Sequence, residues 1–331
     1  MTAAVPEVVS AFVANRFGEA GAVAPLSGDA STRRYFRASC GGATAVVALH
    51  PEPFAPAELP FLELRELLAS WGLPVPAVLE VDGPRGILLF EDLGDRTLQQ
   101  ALELGLGAER RRELYRQAMD QVATLQREAE RGPHTASCFR VAFDVEKLSW
   151  ELHYFEKHFV EGLRGCRLSV EDRSGLAQSF HHLAEEMASW PRVLCHRDFH
   201  SRNLMLSAGR LVWLDFQDAR LGPATYDLVS LLRDAYVDLP EELVDELVEE
   251  FRQRAVAGEA REAFRLRFEL TTLQRTLKAL GTFGYMATVR ENPVYLQYVA
   301  RTLAAARVEL QRHRELDGLR RVLARHIQEL S

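Results

Sequence analysis

The stretch from residue 193 to residue 218 constrains the fold more than any other part of the chain, because it sets polar side chains around a short hairpin. Three apolar residues lead into His196-Arg197-Asp198, and Asn203 opens a second short apolar run. After a turn at 207–210, a third run leads to Asp215. Apolar runs of this length on either side of a turn predict a β-hairpin. The hairpin would carry an amide at its start and a carboxylate at its end.

Asp198, Asn203 and Asp215 are the polar groups that phosphoryl transfer from a metal–nucleotide requires. One carboxylate accepts the proton of the attacking hydroxyl, while an amide oxygen and a second carboxylate hold the magnesium ions that neutralise the phosphates. A lone His-Arg-Asp or a lone Asp at a hairpin end is often only a turn former, but the spacing from His196 to Asn203 matches the kinase catalytic loop. We therefore predict Asp198 as the catalytic base and Asn203 and Asp215 as magnesium ligands.

These motifs resemble the aminoglycoside phosphotransferase-like (choline kinase) family, whose catalytic loop reads His-x-Asp-Leu-His-x-x-Asn. His200 and the run 213–216 fit this family better than the protein kinases, which have Asp-Phe-Gly where this chain has Asp215-Phe216-Gln217. Within the family, the motifs are most similar to those of the anomeric N-acetylmuramate/N-acetylglucosamine kinases of bacterial peptidoglycan recycling. The segments that carry this similarity are 28–31, 198–203, 215–220, 222–223 and 226–228. The resemblance implies an ATP- and Mg²⁺-dependent kinase that phosphorylates the C1 hydroxyl of an amino sugar.

Hydrophobic spacing predicts an α+β chain that begins with strands and continues with helices. Strands are predicted at 22–26, 35–38, 43–49, 78–81 and 86–90, and together they would form one five-stranded sheet. Helices are predicted at 5–17, 61–71, 108–130, 145–163, 170–189, 224–235, 241–257, 261–289 and 294–314. The resemblance implies a bilobal protein-kinase-like fold with a small N-terminal nucleotide-binding lobe at 1–93 and a larger, mainly helical lobe at 94–331. Tyr226-Asp227-Leu228 begins a helix, and we expect Asp227 to anchor the catalytic loop through hydrogen bonds.

The first turn, residues 27–34, is a candidate loop for covering the nucleotide, because small residues let the backbone approach a ligand closely. We predict phosphate contacts from Ser31, Thr32, Arg33 and Arg34, although an ordinary solvated turn has the same composition. The resemblance places the junction of the lobes at residues 91–94. It implies that backbone groups of Glu91 and Leu93 pair with adenine.

Lysine is almost absent from the chain. Only Lys147, Lys157 and Lys278 occur among 40 basic residues. The family carries a phosphate-binding lysine on the third strand, where this chain has Leu49. Either an arginine of the first turn or the next strand (Arg33, Arg34 or Arg37) supplies the positive charge, or nucleotide binding is weak; arginine can hold phosphate bidentately, which favours the first. The missing lysine also leaves a non-catalytic nucleotide-binding pseudokinase open as an alternative.

The acceptor side of the site is predicted from residues close to Asp198 in sequence and from two aromatic residues. The predicted substrate-binding residues are His200, Gln217, Asp218, Arg220, Trp150 and Tyr154, and for the two aromatics a place in the core is the competing interpretation. Arg220 facing the pocket would suit an acidic sugar such as N-acetylmuramate, whereas Arg220 paired with an acid would favour a neutral one. An aminoglycoside or another small molecule stays open as the acceptor; an aminoglycoside would require several acids around a polycation.

Composition limits the other classes of function. The chain has 331 residues, of which 47% are hydrophobic and 26% are charged, as in ordinary globular proteins. Its net charge of −7 argues against a nucleic-acid partner, and no apolar run approaches the roughly 18 residues of a membrane span. Four scattered cysteines indicate reduced thiols. We predict a cytoplasmic enzyme without a membrane partner that acts on a small sugar; a monomer is favoured, and the oligomeric state stays open.

Overall fold

The computed structural model describes residues 4–18, 22–26 and 33–331. Within these residues, the strands are β1 (Ala22–Leu26), β2 (Arg34–Cys40), β3 (Ala43–Leu49), β4 (Val78–Asp82), β5 (Ile87–Glu91), β6 (Arg192–Cys195), β7 (Leu204–Ser207), β8 (Arg210–Trp213) and β9 (Arg220–Pro223). The helices are α1 (Glu7–Phe17), α2 (Pro60–Ser70), α3 (Leu98–Glu103), α4 (Ala108–Arg131), α5 (Val145–Phe155), α6 (Val170–Ser189), α7 (Tyr226–Leu232), α8 (Glu241–Ala255), α9 (Arg261–Thr288), α10 (Val299–Arg312) and α11 (Asp317–His326).

The chain separates into two compact units, and the first of them is discontinuous. Unit 1 combines Met1–Thr97 with Leu204–Gln217, whereas unit 2 combines Leu98–Asn203 with Asp218–Ser331. The lobes predicted from sequence, 1–93 and 94–331, are each one continuous segment. The structure instead groups the hairpin of β7 and β8 with the N-terminal residues, because Leu206 donates its N–H to the Arg96 carbonyl and Trp213 to the Pro74 carbonyl.

Unit 1 is built on a five-stranded antiparallel sheet with the order β1-β2-β3-β5-β4. Gly41 and Gly42 connect β2 to β3 with φ angles of 57° and 86°. Two successive residues with positive φ are typical of a type I′ turn, whose twist matches that of the flanking strands. The predicted α+β class and the five-stranded sheet are confirmed.

Two helices accompany this sheet. Val9, Phe12 and Val13 of α1 are buried in one hydrophobic core with inward-facing residues of β2, β3 and β5. Phe61 at the start of α2 packs edge-on against Phe90 of β5, with ring centroids 5.4 Å apart. The interior strand β5 is buried at its first four positions, as expected of a strand enclosed from both sides.

Unit 2 is mainly helical. Its hydrophobic core joins α5, α6, α9, α10 and α11. Asp144 caps α5 by accepting the Lys147 N–H at 2.8 Å, and Ser169 caps α6 by accepting the Asp172 N–H at 3.0 Å. Such caps satisfy backbone donors that have no partner within the helix. They explain why these helices begin where the sequence predicted.

The helix predicted at 145–163 changes its hydrogen-bond pattern partway along. Residues Val145–Phe155 are α-helical, and Glu156–Leu163 continue as a π-helix. Hydrophobic spacing alone does not reveal this change, which widens the helix next to α9. In the described ranges, no helix combines the length and the apolar character that a membrane span requires.

Candidate active site

The loop after β6 carries His196-Arg197-Asp198 and is held by one buried carboxylate. Asp227, at the start of α7, accepts the His196 N–H at 2.6 Å and the Arg197 N–H at 2.9 Å. This confirms the anchoring role predicted for Asp227. Burial raises the pKa of Asp227 to about 7, even though both N–H groups favour its ionised form. Arg197 has a left-handed backbone with φ of 86°, which a non-glycine residue adopts only where its surroundings enforce it.

The carboxylate of Asp198 lies among three cations. The Lys278 Nζ is 2.9 Å from Oδ1, the Arg197 Nε is 3.7 Å from Oδ2, and the Arg275 Nη2 is 4.0 Å from Oδ1. Burial opposes ionisation of Asp198, but these cations outweigh it and hold the pKa of the carboxyl well below its usual range. Asp198 is therefore ionised at neutral pH and able to accept a hydrogen bond from a hydroxyl.

Helix α9 supplies two of these cations, which the sequence analysis did not assign. Arg275 donates from Nη1 to the Arg197 carbonyl at 2.8 Å, and Lys278 lies almost one turn further along the same helix. Lys278 is 80 residues from Asp198 in sequence, so proximity along the chain gives no hint of the contact. The one signal was compositional: a chain that uses arginine almost everywhere keeps a lysine here.

Asn203 faces the same loop. Its Nδ2 donates to the Asp198 carbonyl at 2.9 Å, and its N–H donates to the His200 carbonyl at 2.9 Å. Because the amide nitrogen is engaged, the amide oxygen is the end that remains for a hard cation. The Ser201 N–H donates to the buried Asp234 at 2.8 Å, which fixes the turn before Asn203. Sequence reasoning had not assigned Asp234.

The hairpin predicted between Asn203 and Asp215 is formed by β7 and β8, with a ladder from Leu204–Trp213 to Ser207–Arg210. The apolar run at 193–195 does not join it: β6 pairs with β9. In unit 1, Asp215 is exposed, has φ of 61°, and accepts the Gln217 Nε2 at 2.6 Å. A carboxylate and an amide oxygen are hard ligands of the kind that Mg²⁺ takes, so Asp215 and Asn203 fit the predicted metal chemistry.

The arginines proposed as substitutes for the missing lysine differ in their contacts within unit 1. Arg37 is paired with Asp92 at 2.6 Å and with Asp95 at 2.7 Å, and these carboxylates raise its pKa. Arg34 donates to the Ala4 carbonyl at 2.8 Å. The Arg33 guanidinium lies 5.9 Å from the Phe61 ring, which stacks at 4.9 Å on Phe216, the neighbour of Asp215.

The other predicted nucleotide-binding residues are placed as follows. Ser31 and Thr32 lie outside the described residues. The Glu91 N–H donates to the Ala77 carbonyl at 3.0 Å, and its side chain accepts the Ala77 N–H at 2.7 Å. The Leu93 N–H donates to no group of the described chain, so it is available to a ligand. The predicted adenine contact of these residues stays a prediction.

The predicted acceptor residues fall into two groups. Asp218 pairs with Arg197 of the catalytic loop at 3.1 Å, and Gln217 is bonded to the predicted metal ligand Asp215, so both side chains already have partners. Arg220 donates only to the Asp218 carbonyl at 3.2 Å and lies 5.4 Å from the Phe143 ring; it has no acidic partner in the described part of the chain. The Nδ1 atom of His200 has no partner there either.

The two aromatic candidates stand together on α5. Trp150 is 54% exposed, so it is not a core residue, and its ring stacks on Tyr154 with centroids 5.2 Å apart. The Lys147 Nζ lies 4.0 Å from the Trp150 ring centroid. Burial raises the pKa of Tyr154 to about 12, so this phenol stays protonated. The pair offers an exposed ring with a cation beside it.

Lys147 belongs to the group of cations around the catalytic loop. The Phe143 N–H donates to the Leu221 carbonyl at 2.8 Å, which joins the residues before α5 to β9 and brings Lys147 towards Arg220. Burial and the neighbouring cations Arg197, Arg220 and Lys278 lower the pKa of Lys147, although Glu151 opposes them. Lys147, Arg197, Arg220, Arg275 and Lys278 thus lie around the catalytic loop.

Comparison with known proteins identifies chains of similar sequence. The model of the phosphotransferase enzyme family (APH) matches residues 22–266. An N-acetylmuramate/N-acetylglucosamine kinase of Neisseria meningitidis serogroup B is 33% identical over 296 residues, which are 88% of this chain and 86% of the relative. A protein of the same name from Pseudomonas aeruginosa is 34% identical over 320 residues, 95% of this chain and 91% of its own.

Solved structures of similar fold share little sequence with this chain. The gentamicin complex of APH(2″)-IIa has a TM-score of 0.62 at 14% identity and covers 95% of this chain and 98% of its own. ADP-bound aminoglycoside phosphotransferase APH(2″)-Ib has a TM-score of 0.61 at 15% identity, with coverage of 91% and 98%. A choline/ethanolamine kinase family protein from Mesorhizobium loti has a TM-score of 0.59 at 17% identity, with coverage of 97% for both chains. At these identities the likeness concerns the fold.

Proposed function

Because the chain belongs to the phosphotransferase enzyme family, we propose that it transfers the γ-phosphoryl group of ATP to the anomeric hydroxyl of N-acetylmuramate or N-acetylglucosamine. The observation that carries this proposal is the loop of Asp198, in which an ionised carboxylate is fixed by Asp227, Arg275 and Lys278. The two kinases of this name that match nearly the whole chain support the choice of acceptor.

The reaction follows from what these side chains can do. The Asp198 carboxylate accepts a hydrogen bond from the acceptor hydroxyl and takes its proton as an oxygen–phosphorus bond forms and the bond between the γ-phosphorus and the ADP oxygen breaks. Because the neighbouring cations lower the pKa of Asp198, its carboxylate is a weaker base than a free one, which suits a loose transition state in which the proton leaves late and the carboxylate mainly orients the hydroxyl. The products are a sugar phosphate and ADP.

Asn203 and Asp215 are the residues that would hold magnesium. Bound there, Mg²⁺ would neutralise charge on the phosphate oxygens. Gln217 fixes the Asp215 carboxylate, and the Asn203 amide is oriented by the Asp198 carbonyl. In unit 1, the Leu93 N–H would pair with adenine, and Arg33 would take the place of the missing lysine at the phosphates.

The acceptor itself is supported by the charge around the loop. Arg220 has no acidic partner in the described part of the chain, and Lys147 lies beside the exposed ring of Trp150. A carboxylate-bearing sugar would find two cations and an aromatic surface there. A polycationic aminoglycoside would meet repulsion, so N-acetylmuramate is the acceptor that this arrangement favours.

An assay of magnesium-dependent ADP release tests the proposal. We expect turnover with N-acetylmuramate, slower turnover with N-acetylglucosamine and none with kanamycin, and NMR of the product should show phosphate on C1. The Asp198→Asn variant should fold and bind ADP as the wild type does, with kcat lower by at least ~10². Phosphorylation of kanamycin alone, or the absence of ATP consumption with either sugar, would reject the proposal, and a near-normal Asp198→Asn rate in single turnover would remove the role of Asp198.

A further inference from the structure

We propose that Lys278 is a catalytic residue that binds the phosphoryl group in transfer, in addition to its contact with Asp198. The proposal rests on the proposed phosphotransferase reaction, because it assigns Lys278 to the γ-phosphoryl group. Neither hydrophobic spacing nor motif comparison identified this residue.

The position of Lys278 supports direct contact with the reacting atoms. Its Nζ is 2.9 Å from Oδ1 of the carboxylate that would accept the hydroxyl proton, and its side chain is only 16% exposed. The attacking hydroxyl must lie within hydrogen-bond distance of the same carboxylate, and the phosphorus next to that hydroxyl. An ammonium group at this place is therefore close to the phosphoryl oxygens.

The hydrogen bonds of Lys278 leave it capacity for an anion. A lysine ammonium has three N–H donors, and among the described residues Asp198 is its one side-chain acceptor. Two donors remain for phosphoryl oxygens. The other two cations have further tasks: Arg197 also pairs with Asp218, and Arg275 donates to the Arg197 carbonyl.

The charges around the catalytic loop also support a phosphoryl contact of Lys278. Five cationic side chains surround the catalytic loop, namely Lys147, Arg197, Arg220, Arg275 and Lys278. The acids beside them are Asp198, Asp218, Glu151 and Asp227, together with Asp234, which accepts the Ser201 N–H. Three of the cations lie within 4.0 Å of the one carboxylate of Asp198, so a phosphoryl group beside it would meet positive charge, and preorganised charge of this kind stabilises a transition state.

A double-mutant cycle separates direct contact from an effect through Asp198. The four proteins are the wild type, Lys278→Met, Asp198→Asn and the double variant, with Lys157→Met as the matched control, because Lys157 is exposed on the π-helix. We expect Lys278→Met to lower kcat at least ~10²-fold, with KM for ATP and for sugar within about threefold. In the Asp198→Asn background it should cost at least a further tenfold, and Lys278→Arg should recover part of the loss. If Lys278→Met costs nothing in that background, the lysine acts only through Asp198 and the proposal is wrong.

A binding measurement tests the same contact without any sugar. ADP with magnesium and aluminium fluoride imitates the planar phosphoryl group, so its affinity reports transition-state contacts. Lys278→Met should weaken this complex at least tenfold while ADP alone binds as before, and Lys157→Met should change neither. Equal effects on both ligands, or no effect on either, would overturn the proposal. A wild type that binds the mimic through Lys278 yet phosphorylates neither sugar would refute the proposed acceptor and leave the role of Lys278 intact.

Discussion

The backbone of Arg197 concentrates strain at the residue before the predicted base. A left-handed conformation costs a non-glycine residue on the order of 1–2 kcal/mol, so it persists only where neighbouring groups hold it. Here Asp227 accepts its N–H, and Arg275 donates to its carbonyl. The two contacts engage both backbone polar groups of Arg197, its N–H and its carbonyl. They direct the next side chain, Asp198, towards Lys278.

At Arg33, a single substitution tests how unit 1 compensates for the missing lysine. We expect Arg33→Gln to raise KM for ATP about tenfold or more with kcat little changed, since a charge-assisted hydrogen bond to phosphate contributes about 1.5–3 kcal/mol. Arg34→Gln is the matched control, because Arg34 is directed to the Ala4 carbonyl. Steady-state kinetics with varied ATP gives both values. If Arg34→Gln raises KM and Arg33→Gln does not, Arg34 rather than Arg33 binds the phosphates. If neither variant raises KM, other residues bind them.

Among the elements, helix α9 contributes most to positioning the catalytic loop. Along one helix, Gln274 bonds to the buried Glu151 of α5, Arg275 to the loop backbone and Lys278 to Asp198. Thr271, one turn earlier, bonds to Thr225 before α7. The position of α9 against α5 and the π-helix therefore decides where Arg275 and Lys278 lie.

Gly284 tests this packing. A Cβ at this position of α9 would be 2.2 Å from the His158 carbonyl oxygen on the π-helix, a backbone atom that cannot rotate away. Gly284→Ala should therefore lower the thermal midpoint of unfolding by at least ~3 °C, as overpacking of ~2 kcal/mol or more would. In Gly318→Ala of α11 the nearest atom is the Ser179 Oγ at 3.9 Å, so this control should be neutral or stabilising by ~0.4–1 kcal/mol. Equal midpoints for the two variants would show that α9 and the π-helix can separate without cost.

The sequence predicted elements well where the signal was local. The strands of the first sheet and the starts of α5 and α6 follow from neighbouring residues. Contacts between distant segments were not predictable: Lys278 is 80 residues from Asp198, and the pairing of β6 with β9 excludes β6 from the hairpin. Gln217 was assigned to the substrate because it is near Asp198 in sequence, whereas its side chain bonds to Asp215.

At the scale of the whole molecule, the charge around the catalytic loop differs from the net charge of the chain. The chain has a net charge of −7, yet the catalytic loop is surrounded by cations. Helix α8 alone carries six acids at exposed or half-buried positions, and arginines of α4 pair with two of them, Glu246 and Glu250. The overall charge therefore argues against nucleic acid, while the local charge favours a small anionic ligand.

A buried acid far from the catalytic loop in sequence should give the stability of the protein a measurable pH dependence. Glu309 of α10 is 1% exposed, and burial raises its pKa to about 7, with Glu269 adding to the rise and Arg312, Arg233 and Arg265 opposing it. His313 faces the same acids, with its Nε2 2.9 Å from Glu269. Because the folded protein keeps the proton that the unfolded chain releases near pH 4.5, stability from this group falls as pH rises to about 7, by up to ~3 kcal/mol. Glu309→Gln imitates the protonated acid, so its thermal midpoint should equal that of the wild type near pH 5 and exceed it at pH 8. A Glu309→Gln variant less stable than the wild type at pH 8 would mean that Glu309 is ionised and that its ion pair with Arg312 stabilises the fold.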